Sequence, residues 1–107
     1  MSHRRFHFLP LAAALALALT AANDARAADA GKGKRLAQEH CAACHKIAPE
    51  GRSVVAVSPP FDVIGRKYGF DADMIAHAIA GPHPKMNFSP GAADAADIAA
   101  YIAALKQ

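Results

Sequence analysis

Tryptophan is absent from this chain of 107 residues, cysteine occurs only twice, and 7% of residues are aromatic. Few large rings mean little buried area per side chain. Although 53% of residues are hydrophobic, much of that fraction is alanine, which builds good helices but removes little apolar surface from water. The length leaves room for one domain, and its core is expected to be thin. Small domains of this kind commonly rely on a disulfide, a metal or a cofactor. Long apolar runs are also missing. The longest, Phe8 to Leu19, is interrupted by Pro10 and falls short of the roughly 20 residues that a bilayer span takes.

What stands at the beginning belongs to export rather than to the fold. His3, Arg4 and Arg5 make a basic start, the apolar run follows, and Ala25-Arg26-Ala27 has the small-x-small pattern of a signal-peptidase site. Residues 1–27 are expected to be a secretory signal cleaved near Ala27, and residues 28–107 the domain. Without the signal there are nine Lys/Arg (twelve less Arg4, Arg5 and Arg26) and eight Asp/Glu (nine less Asp24), a net of +1 instead of +3. No basic cluster remains in the domain, which excludes nucleic-acid binding. No membrane span remains either.

The domain reads as all-α. Asp29 to His40 has helix-forming composition, with Asp29 placed to cap it. Residues 46–60 carry Pro49, Gly51, Pro59 and Pro60 around Val54, Val55 and Val57, and so form a loop with at most one extended piece. Phe61 to Tyr68 is predicted as a short helix closed by Gly69. Asp71 to Ala80 is a second, capped by Asp71 and ended by Gly81, with Met74, Ile75, Ala78 and Ile79 on its apolar face. Pro82 and Pro84 keep residues 81–88 irregular. A last helix is expected from Ser89 as cap and Pro90 as first residue, with Ile98, Tyr101, Ile102 and Leu105 as its inward stripe.

The chemistry centres on Cys41-Ala42-Ala43-Cys44-His45. Cysteines three apart at a helix end are neighbours on one face, able to present two thiols to one edge of a planar group. The histidine that follows can offer its imidazole to a metal at the centre of that group. A C-x-x-C-H run reads as attachment of c-type haem, and the export signal agrees with it. A disulfide between these cysteines would close too small a loop to constrain the unfolded chain much. A redox dithiol belongs beside a βαβ pattern, which is missing. Zinc needs further ligands, for which His77 and His83, six apart, are the sequence's only suggestion.

Over nearly all of residues 28–107 the chain resembles the class I cytochromes c. The resemblance implies a small cytochrome c fold, in which N- and C-terminal helices cross and short helices and long loops surround one covalent haem. It places Gly33 at the helix crossing, with Tyr101 packing there. It gives Pro59 the backbone carbonyl that accepts from the proximal histidine, His45. It makes Gly81-Pro82-His83-Pro84-Lys85-Met86 the segment that delivers a distal methionine, Met86. Two positions depart from the family: Asn87 stands where many relatives have proline, and Ala37 replaces a frequent aromatic.

The residues themselves favour the same sixth ligand. Of the two methionines in the domain, Met74 lies on a helix face where methionine is usually core filler, whereas Met86 sits in a proline-stiffened loop. A thioether opposite an imidazole raises the haem potential. His83, in the same loop, is the alternative ligand. His40 is expected to be a solvated helix residue, and His77 a surface one or one near the haem edge. With both axial positions filled, iron can only change oxidation state. The expected role is therefore single-electron transfer in the periplasm, as a monomeric carrier or as a subunit of a redox complex, between a redox protein donor and an acceptor. Lys46, Lys67 and Lys85 either guide docking or form an ordinary solvated surface. An enzyme or ligand sensor would need Met86 to leave the iron, and a structural metal or adhesion module would lack haem.

Overall fold

A computed structural model describes residues 26–50, 57–83 and 86–107, and among them all regular structure is helical. The elements are α1 (Ala30–His40), α2 (Phe61–Lys67), α3 (Ala72–Ala80) and α4 (Ala92–Ala103). Residues 1–25 of the predicted signal, the valine-rich middle of the loop at 51–56, Pro84 and Lys85 lie outside the described residues.

Local chemistry sets most of the boundaries. The carboxylate of Asp29 accepts from the Lys32 N–H at 2.9 Å and that of Asp71 from the Met74 N–H at 3.0 Å, so both predicted caps start their helices. Beyond α2, Gly69 takes the left-handed conformation at φ 61°. There its N–H donates to Arg66 O and the Phe70 N–H to Gly65 O, the paired bonds of a Schellman end. The fourth helix begins later than predicted. Its cap is Gly91 rather than Ser89, and no side chain caps it. Glycine is a poor helix residue, so the chain stays extended at Gly91 (ψ 169°) and turns helical where the run Ala92-Ala93-Asp94-Ala95-Ala96 takes over.

The fold is built on α4, which packs against α1 and α3 and more lightly against α2. Its buried face supplies Ala95, Ile98, Ala99, Tyr101 and Ile102, to which Ala37 of α1, Phe61 of α2 and Ile75 of α3 are added. The core is as thin as the composition implies: its largest fully buried apolar side chains are Ile75, Ile98 and Ile102. Each is worth about 1.5–3 kcal/mol on burial. Met74 departs from its reading as core filler and is half-exposed. Ile75 takes the inward position on α3, and the next residue round the helix points about 100° away from it.

α1 and α4 cross at Gly33. A Cβ there would overlap the main-chain carbonyl of Asp97, so only hydrogen fits. The Asp97 side chain, 2% exposed, closes the same junction. It accepts from the Asp29 N–H at 2.7 Å and from Arg26 at 2.9 Å, with Lys32 Nζ at 3.3 Å. The Asp29 N–H, ahead of Lys32 and Arg26, holds the Asp97 carboxyl below the usual carboxylate range although burial acts the other way.

Two outcomes follow from this junction. Gly33→Ala gains about 1 kcal/mol of helix propensity but overpacks against a carbonyl that cannot rotate aside, at about 3 kcal/mol. The thermal midpoint, read by circular dichroism, should fall by about 10 °C; an unchanged midpoint would refute the contact. Asp97 has a lowered pKa in the folded state, so the stability it adds is present above the unfolded value of 3.8 and lost as pH falls below it. The midpoints of the native chain and of Asp97→Asn should therefore differ near neutrality and converge as pH drops to about 2.

Candidate functional site

The C-terminal end of α1 carries the C-x-x-C-H run on a tight turn. Cys41 is the C-cap, its N–H donating to Ala37 O at 2.9 Å. The N–H groups of Cys44 and His45 both return to Cys41 O, at 3.1 and 2.8 Å. The turn thus folds the second cysteine and the histidine back over the first. Both thiols are free, Cys41 half-buried and Cys44 exposed. Burial pushes the Cys41 thiol up, so it stays protonated at neutral pH in the bare chain.

His45 is oriented by the loop that follows. Its Nδ1 lies 2.7 Å from the carbonyl oxygen of Pro59. A carbonyl can only accept, so Nδ1 carries the proton and Nε2 is left as the ring's ligand atom. Two further bonds fix the loop: Phe61 N–H to Lys46 O at 2.9 Å closes its ends, and Tyr101 O–H to Ile47 O at 2.7 Å ties it to α4. Burial, and then the charge of Glu50, push the Tyr101 phenol up, which keeps it a donor. The Tyr101 ring also lies 6.3 Å from that of Phe61, tilted at 59°, and Phe61 in turn lies 5.8 Å from His45. The tyrosine was expected at the helix crossing as a packing residue; its hydroxyl bond to the loop was not legible, because the acceptor is a backbone atom 54 positions away.

Beside His45 opens an apolar cavity of about 480 Å³, walled by Pro59, Ile64, Tyr68, Ile75 and Ile79. A smaller one of about 60 Å³ is reached by Cys41, His45, Phe61, Met86, Ile98 and Ile102. Four residues, His45, Ile64, Ile79 and His83, wall both, so the two adjoin as one slot. The structure therefore brings together Cys41, His45, Pro59 and Met86, with Cys44 on the exposed side of the turn. His83 is there as well, its ring centroid 5.9 Å from that of His45 and nearly perpendicular to it.

Other predicted residues fall elsewhere. Met74 and His77 share a separate surface hollow with Tyr68 and Asp73. Among the described residues no three His, Cys, Asp or Glu side chains gather to hold a metal ion, which leaves the zinc alternative without a site there. Of the three lysines, Lys67 stands at the cavity mouth with its ammonium 5.3 Å from the centre of the Tyr68 ring. Lys46 lies by Asp62 and Arg66, and Lys85 is outside the described residues. His40 is exposed at the end of α1, as read, and one contact was not foreseen: its ring is stacked on Phe88.

An apolar slot with two thiols on one turn and an imidazole fixed by its far nitrogen suits a flat, largely apolar, metal-centred group. Comparison with known proteins gives the same answer. Residues 28–102 match the family model described as "Cytochrome C oxidase, cbb3-type, subunit III". The chain belongs to the cytochrome c family. It is also 38% identical over 102 residues to cytochrome c-552 of Bradyrhizobium diazoefficiens, covering 94% of this chain and 96% of that protein. No solved structure matches it. As a small monohaem c-type cytochrome it carries covalently bound haem c and transfers electrons through it. Among the described residues no helix is long and apolar enough to cross a membrane.

The bond between Tyr101 and the loop can be tested by Tyr101→Phe. The Ile47 carbonyl then loses its partner, which costs about 1 kcal/mol and lowers the thermal midpoint by about 4–8 °C. An equally stable variant would show that the hydroxyl merely accompanies the ring.

Proposed function

We propose that this cytochrome carries single electrons in the periplasm, after export and removal of residues 1–27, with Cys41 and Cys44 as the thioether attachment sites, His45 as the proximal ligand and Met86 as the distal one. The observation that carries this reading is the fixing of His45 by Pro59, which leaves Nε2 for the metal in a slot that Met86 also reaches. With both axial positions taken by protein, the iron has no place for a substrate, and carrier chemistry is favoured over an enzyme's. The name of the family model supports a place as the electron-transfer subunit of a redox complex, and that of the Bradyrhizobium relative is compatible with a free carrier.

Partner contact belongs at the mouth of the slot, where Val57 and Val63 are exposed beside Lys67. Redox encounters bury little area and dissociate quickly, so a few apolar side chains next to one cation suffice. The near-neutral charge of residues 28–107 leaves steering to such local groups.

His83 is the second reading for the distal ligand, favoured by its perpendicular approach to His45 within 5.9 Å. One pair of spectra separates the two. The exported, haem-loaded protein should show a c-type reduced spectrum and, when ferric, the weak far-red band of sulfur ligation. Met86→Ala should abolish that band and leave the attachment intact. A band that survives would refute Met86, and a native protein that is low-spin without the band would favour His83.

A further inference from the structure

We propose that His40 is a positioning residue for the distal-ligand segment: its imidazole, stacked on Phe88, holds the stretch that carries Met86 against the end of α1. This rests on the reading of Met86 as the ligand. Residues 81–83 and 86–91 have no regular structure, and in the sequence the prolines at 82, 84 and 90 bring no N–H donor to this stretch. Among the described residues, no main-chain hydrogen bond ties residues 86–90 to anything else. Among the described residues, side-chain contacts are what tie them to the helices.

Phe88 makes those contacts. It is half-buried and packs against the core. Its ring also lies 3.8 Å from that of His40, centre to centre, with only 7° between the planes. His40 is the last residue of α1 and directly precedes Cys41, while Phe88 follows Met86 by two. The stack thus joins the end of α1 to the stretch that carries Met86, one residue from the attachment motif and two from the methionine. α1 is a firm base for this, being fixed to α4 at Gly33 and Asp97. Among the described residues, the charged group beside the imidazole is Glu39, at 3.7 Å. The His40 side chain keeps 35% of its surface exposed, so it lies over Phe88 from outside and is no part of the core. Its removal should free the segment without unfolding the domain.

An aromatic stack shifts a two-state equilibrium by about two- to tenfold, and here the two states are Met86 placed at the slot and Met86 withdrawn. Asn87, which lacks proline's stiffness, makes the segment depend more on this contact. The test uses the haem-loaded protein, native and with His40→Ala or His40→Phe. Two properties are read: the far-red ferric band, and carbon monoxide uptake by the reduced form. His40→Ala should weaken the band and take up carbon monoxide about two- to tenfold more readily, with helix content and the reduced c-type spectrum unchanged. His40→Phe, which keeps a ring on Phe88, should restore both properties. If His40→Ala matches the native protein in both, the proposal is wrong. If His40→Phe fails to rescue, the stack is not the cause and the proposal is again overturned. A native protein that already lacks the band overturns the Met86 assignment, and this proposal with it.

Discussion

The carbonyl of Asp97 lies where Gly33 has no side chain, and the rest of the molecule is arranged around that approach. It lets α1 and α4 cross backbone to backbone, which fixes the direction in which α1 ends. The turn bearing Cys41, Cys44 and His45 continues from that end, while the face of α4 beyond the crossing supplies Ile98 and Ile102 to the slot. Backbone proximity also compensates for a core with few large side chains. Helices that meet through glycine and alanine bring their main chains close enough for Asp97 to accept from the Asp29 N–H across the junction.

From the crossing the site is assembled by hydrogen bonds to main-chain carbonyls. Pro59 O receives the His45 ring N–H, Ile47 O receives the Tyr101 hydroxyl, and Lys46 O receives the Phe61 N–H. All three lie at the two ends of one loop, so the imidazole is oriented from the loop and from α4 at once. Proline at position 59 suits this work: it offers a carbonyl, has no N–H of its own to satisfy, and its fixed φ narrows the directions that carbonyl can take. On the other side of the slot, the contact that joins the end of α1 to the segment around Phe88 is a ring stack. The wall that carries His45 is thus held by directional bonds, and the segment around Phe88 by packing.

Much of this was legible in the sequence because it is written in short spans. Asp29 and Asp71 each act on a residue three positions on, Gly69 closes a helix locally, and the C-x-x-C-H run lies within five residues. The nature of the cofactor and the helical architecture followed from these features. What escaped notice depends on partners far along the chain. Asp97 reads as one more polar residue on an alanine-rich helix until the N–H of Asp29 is seen beside it. His40 reads as solvated and is exposed, but its stack on Phe88, 48 positions on, could not be read from the sequence. Met74 has the helical spacing of a core residue, but periodicity cannot say which of two neighbouring apolar positions faces inward, and Ile75 took that place. Ser89-Pro90 has the composition of a helix start, yet Gly91 delays the start to the alanine run.

Asp97 also bears on how much of the N-terminal segment the crossing needs. Of its three donors Arg26 lies ahead of α1, while the Asp29 N–H and the Lys32 ammonium belong to the start of the helix itself. If residues 1–27 are removed, as proposed, two of the three donors stay in place. The buried carboxylate then keeps partners, and no charge is left stranded where the two helices meet.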